Sequence, residues 1–204
     1  MKQIKLKSLM ISAAIALSPF TFAASQFEQG THYDVIAPQV KTEPVVEEFF
    51  NYACGACFAI EKFSQEFKEK HPNIKFKYVP VELRPAWKIY VKAYFIGEKL
   101  GVLDKSHSKL FDRIHVDKKY FKDEDDMKAF FIELGVTEAD YDKVADSYWV
   151  KTQMRQAKQY SFKAKVSSTP SFVVNKRYKI NRTEMSTQQL EDSMVELSTG
   201  AGSN

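Results

Sequence analysis

The chain has 204 residues, 44% of them hydrophobic, with 30 Lys and Arg against 26 Asp and Glu and a formal net charge of +4. Such a length suits about one domain, and mixed charge so near neutrality leaves no electrostatic footprint for nucleic acid.

The first 23 residues have the order of a bacterial secretory signal. Lys2, Lys5 and Lys7 precede an apolar run from Leu9 to Leu17 that is too short to span a bilayer. "SPFTFA" then offers small residues at Thr21 and Ala23, and cleavage is expected after Ala23. It would remove three lysines and no acid, so most of the positive charge belongs to the leader. The remainder is expected to be exported, and no later stretch is long and apolar enough for a transmembrane helix.

Thr31 to Pro38 reads as a short strand. Val45 to Phe50, "VVEEFF", is apolar apart from two glutamates, as in a strand covered on both faces. From Gly55 the period turns helical: Cys57, Ile60, Phe63 and Phe67 share a face, with Glu61, Lys62, Glu66 and Lys68 outside. Pro72 stops this helix, and Asn73 to Val81 alternates as a further strand. From Pro85 to Lys165 the pattern is helical throughout, read as three to five helices. In the first of these Trp87, Tyr90, Val91, Tyr94, Phe95 and Glu98 fall at helical steps. Gly135 suits a helix C-cap, and Thr137 with Asp140 resembles a capping box. Thr169 to Ile180 reads as two strands joined by a turn at Asn175-Lys176, and Thr187 to Ser198 as a last amphipathic helix.

The only cysteines, Cys54 and Cys57, lie between the second strand and the first helix. A disulfide closing so small a ring constrains little unfolded-chain entropy, so the pair reads as chemistry rather than a staple. Zinc would need about four ligands, and His32, His71, His107 and His115 are scattered without ligand spacing. A c-type haem site would need His where Phe58 stands. No metal or other cofactor is therefore expected. A cysteine in the first helical turn lies near unpaired N–H groups and the positive end of the helix dipole, which favour thiolate. Cys54 reads as the nucleophile and Cys57, one turn on and facing inward, as the residue that resolves the mixed disulfide.

"FFNYACGACFAIEKF", followed far downstream by "VSSTPSFVVNKRY", resembles the DsbA group of thioredoxin-fold oxidoreductases. The resemblance spans the chain after the leader in element order more than in residue identity. It implies an α/β, thioredoxin-like fold with an inserted all-helical subdomain: 24–84 and 166–204 form the frame and 85–165 the insertion. It further implies a cis Pro170 beside the cysteines, with Thr169 presenting backbone groups to an extended substrate. Glu47 and Glu48 must point to opposite faces, so at most one lies beneath the cysteine helix. The family pattern selects Glu48, paired with Lys77 of the next strand, as a proton relay to Cys57.

Between the cysteines stand Gly55 and Ala56, where the usual pattern has Pro and His. Losing that imidazole is expected to make the disulfide a milder oxidant. The leading expectation is a monomeric periplasmic dithiol oxidase. It would pass its disulfide to unfolded or partly folded exported proteins and be reoxidised by a quinone-linked, DsbB-like inner-membrane protein. An isomerase or reductase of the same fold, and a peptide-binding chaperone with incidental thiols, remain as alternatives.

Overall fold

The structure, a computed structural model, describes residues 25–200; the expected signal segment lies outside them. In chain order the elements are β1 (Tyr33–Val35), β2 (Val45–Phe50), α1 (Gly55–Lys70), β3 (Lys75–Pro80), α2 (Lys88–Lys99), α3 (Leu103–His115) and α4 (Glu124–Glu133). They continue as α5 (Glu138–Ala145), α6 (Tyr148–Lys163), β4 (Ser171–Val174), β5 (Tyr178–Ile180) and α7 (Thr187–Thr199). Five helices thus separate β3 from β4, the upper end of the expected number.

The strands form one sheet in the order β1-β5-β4-β2-β3, with β2 and β3 parallel and the other pairings antiparallel. β2, between β4 and the edge strand β3, is buried along its whole length. On one side Val46, Phe172 and Val174 pack against Phe63 and Phe67 of α1 and Leu190 and Met194 of α7. On the other, Phe49, Val79 and Val173 meet Ala164 and Val166, just beyond α6. Alternation along β2 therefore sends Glu48 under α1 and Glu47 towards α6, where its carboxylate accepts from the Tyr160 hydroxyl.

A third core, reaching from Phe50 and Tyr52 to Val150 and Ala157, ties the helices to the end of β2. Its centre is α2, buried on nearly every side from Tyr90 to Gly97; Glu98, expected at an inward step, lies past that stretch in the last turn and is exposed. The buried ammonium of Lys92 is matched by Glu124 at 2.7 Å and Asp146 at 3.2 Å. Thr137 caps α5 by accepting from Asp140 N–H. The returning bond of a full capping box is absent, because the Thr137 hydroxyl donates to the Asp140 carboxylate instead. The complete box stands at α7, between Ser186 and Gln189. The three-residue β4–β5 connection is closed by Arg177 N–H to the Val174 carbonyl and puts Asn175 and Lys176 at φ of 50° and 57°.

Candidate active site

The site is built where β2 runs into α1. Asn51 folds the connection: its side chain accepts from Ala53 N–H at 3.0 Å and donates to the Val81 carbonyl at 2.9 Å, while its own carbonyl accepts from Cys54 N–H. This turn delivers Cys54 as the N-cap residue of α1, with extended backbone (φ −92°, ψ 111°) and its Sγ accepting from Cys57 N–H at 3.3 Å. Sulfur here takes the place that a Ser or Asp oxygen has in an ordinary cap.

Both cysteines are free thiols; Cys54 is 8% exposed and Cys57 fully buried. The Cys57 thiol beside it, contacts to Thr169 and the N–H groups of Cys57 and Ala56 together draw the Cys54 thiol down to about 5, against the opposing effect of burial. Cys57 moves the other way, pushed far up by burial and by the neighbouring Cys54 charge. The two sulfurs are thus differentiated as attacker and resolver.

The Thr169–Pro170 peptide bond is cis. Pro170 is buried and Thr169 half-buried, and the Thr169 carbonyl oxygen lies 3.6 Å from Cys54 Sγ. Thr169 and Pro170 are thus brought to the cysteines from more than a hundred residues away. Gly55 and Ala56 are exposed at the start of α1.

Glu48 lies beneath α1, 1% exposed, accepting from the Ser64 hydroxyl at 2.6 Å, with its other carboxylate oxygen unpartnered. Burial, above all, pushes its carboxyl up to about 8. The expected Glu48–Lys77 pair does not form among the described residues. The parallel register sets Glu47 opposite Lys77 and Glu48 opposite Tyr78, so Lys77 points to the other face and is exposed.

Sequence reasoning placed Glu61 outside and gave His107 and His115 no role. In the structure Glu61 is half-buried, accepts from the Tyr78 hydroxyl at 3.1 Å and lies 3.4 Å from Nε2 of the buried His107. No short-range pattern marks these contacts, which join α1, β3 and α3. Among the described residues no group of three or more His, Cys, Asp or Glu side chains could hold a metal ion, and no helix is long and apolar enough to cross a membrane.

An N-cap cysteine with a depressed thiol, a buried partner three residues on and a sheet with an inserted helical layer define a thiol–disulfide oxidoreductase of thioredoxin-like fold. A family model described as "DSBA-like thioredoxin domain" matches residues 90–194. The "Thiol:disulfide interchange protein DsbA" of Bordetella parapertussis is 31% identical over 175 residues, 83% of each chain. Its namesake from Pseudomonas syringae pv. tomato is 30% identical over 185 residues, 86% of each. Among solved structures, Klebsiella pneumoniae DsbA superposes with a TM-score of 0.74 at 25% identity, covering 86% of this chain and all of that one. For Proteus mirabilis DsbA, solved with the non-covalently bound peptide PWATCDS, the TM-score is 0.75 at 24% identity, with the same coverage. The chain belongs to the DsbA family of thiol:disulfide oxidoreductases.

Proposed function

We propose that the protein is a periplasmic dithiol oxidase that donates a Cys54–Cys57 disulfide to exported proteins. The observation that carries the direction is the Cys54 thiol held at about 5. A substrate thiolate attacks Cys54 Sγ, forming a mixed disulfide and expelling Cys57 as thiolate. A second substrate thiolate then attacks the substrate sulfur and expels Cys54. Two electrons pass to the protein, and the substrate keeps the new disulfide. The step is driven by how well Cys54 leaves, since a lower thiol pKa makes a better leaving group. Glu48, with its carboxyl raised to about 8, suits a proton donor to the departing Cys57. Lys77 has no part in that relay.

Thr169 and Pro170 are the proposed peptide-binding positions. The peptide carried by the Proteus mirabilis relative supports peptide segments as substrates, and an extended one would suit pairing at these positions. Residues 24–84 and 166–204 supply the redox frame and 85–165 the helical insertion. A cleaved leader of residues 1–23, a monomeric state and reoxidation by a quinone-linked membrane protein of DsbB type complete the proposal.

The absence of an imidazole at Ala56 favours a second reading, a milder isomerase or reductase. Each unit of thiolate pKa is worth about 1.4 kcal/mol, or roughly 30 mV for a two-electron couple. Equilibration in graded glutathione buffers decides between them. A potential above the glutathione poise is expected, and one well below it would overturn the oxidase reading. Replacing both cysteines by Ser separates off the chaperone alternative: chaperoning would survive the change, whereas disulfide transfer would vanish.

A further inference from the structure

Tyr52, two residues before Cys54, is held at both of its polar ends by one helix. Its hydroxyl lies 2.9 Å from Nδ1 of His107, and its backbone carbonyl accepts from Nε2–H of His115 at 2.8 Å. The two histidines are eight positions apart on α3, about 12 Å along the axis, and Tyr52 itself is 1% exposed. Each end of the clamp is braced in turn. His107 Nε2 faces Glu61 of α1, and its ring packs against Phe50, Tyr78 and Phe111. The His115 ring stacks on Phe58, the residue after Cys57, with centroids 4.8 Å apart and planes at 15°. A Cβ added to Gly55 would lie 4.0 Å from Cε1 of His115. The insertion therefore holds the redox loop before its cysteines, at Tyr52, and after them, at Phe58.

We propose that His107 and His115 are positioning residues for the redox centre: by holding Tyr52 at its hydroxyl and its carbonyl, α3 fixes the turn that carries Cys54 and so sets how well the thiolate is held. The Cys54 sulfur is stabilised by groups whose hydrogen bonds weaken steeply with distance and angle, foremost the Cys57 thiol, then Thr169 and the Cys57 and Ala56 N–H groups. Across the turn one backbone bond, Cys54 N–H to the Asn51 carbonyl, spans the four residues, and inside it the Asn51 side chain accepts from Ala53 N–H, leaving the Tyr52 peptide oxygen outside both contacts. The Tyr52 carbonyl points out of that turn, and His115 is its partner. Losing the partner frees the turn to rotate and takes the sulfur off the helix axis. The inference deepens the reading of Cys54 as the attacking sulfur and rests on it, but not on the direction of electron flow.

The test compares wild type with His115→Ala, His115→Gln and Tyr52→Phe. The readouts are the glutathione equilibrium constant, the pH midpoint of thiolate absorbance at 240 nm and the melting temperatures of both redox forms. His115→Ala is expected to shift the equilibrium constant by about 3- to 10-fold towards the protein disulfide and to raise the thiolate midpoint. Tyr52→Phe should move both in the same direction. His115→Gln, whose amide can donate to the Tyr52 carbonyl, should stay within about twofold of wild type. The clamp is overturned if His115→Ala and Tyr52→Phe lower both melting temperatures equally and leave the equilibrium constant unchanged, since that is scaffolding alone. It is equally overturned if His115→Gln moves as far as His115→Ala. Cys54→Ser in the same titration separates the two ideas: if the wild-type absorbance survives it, the assignment of Cys54 fails, whatever the histidines do.

Discussion

Glu48 shows how far one side chain can depart from its ordinary chemistry once it is buried with a single partner. Its carboxyl sits between Ser64 and apolar surroundings, with one oxygen bonded and the other not. An unpaired carboxylate there is costly, so the native state holds the proton and the group titrates at about 8 rather than near 4.5. A carboxyl raised in the folded state leaves stability complete below its unfolded value and drains it as pH climbs through the folded one. Glu48→Gln, which keeps an acceptor for Ser64 and removes the charge, should match wild type at pH 4. At pH 9 it should be more stable by up to about 5 kcal/mol. Denaturant unfolding of the oxidised protein at the two pH values measures this, and equal stabilities at pH 9 would contradict it. Residue-level reasoning found Glu48 from the cost of a buried acid and the family spacing. It failed at Lys77 because a partner across a parallel pairing depends on register, which neither strand's sequence states.

At the scale of elements, Asn175 shows how one turn residue can fasten three of them. It takes positive φ in the β4–β5 turn, where Asn is among the few residues that fit. Its Oδ1 accepts from Val45 N–H at the start of β2, and its Nδ2 donates to the Leu197 and Ser198 carbonyls in the last turn of α7. Carbonyls in the last turn of a helix are the ones that generally lack an intrahelical donor. Asn175→Ala should therefore cost about 2–3 kcal/mol, several degrees in melting temperature. Loss of this anchor should also open α7 amides to hydrogen exchange ahead of those of β2. A melting temperature within a degree of wild type would mean that water replaces the contacts freely. The turn itself was legible from the Asn-Lys pair between two apolar runs, whereas its grip on α7 was not, since more than twenty residues separate Asn175 from the carbonyls it holds.

For the whole molecule, the redox state and the fold are linked through one ionisation. In the reduced protein Cys54 titrates at about 5 against an ordinary 9.0. A group depressed in this way contributes stability in full above its unfolded value and loses it as pH falls through the folded one. The oxidised protein has no such group. The reduced form should therefore exceed the oxidised by a margin containing on the order of 2 kcal/mol from this source at pH 7, dwindling as pH falls to 4. Glu48 is present in both forms and largely cancels in the difference. Calorimetry of the two forms across that range measures the margin, and parallel curves would show that the thiolate is not what the fold stabilises.

By itself the sequence determined the elements, the cysteine pair at a strand-to-helix junction and the helical character of the insertion. These rest on period, caps and spacing, which are written over a few neighbouring residues. The exposed Glu98 and the half-buried Glu61 mark the limit of that local code, because Glu98 lies past the buried stretch of α2 and α1 is roofed by α3. Only the tertiary structure decided that Lys77 turns away from Glu48, that Glu61 meets His107 and that two histidines of α3 hold Tyr52. Each of those contacts joins segments distant in the chain, and their pairing follows from how the sheet registers and the helices pack.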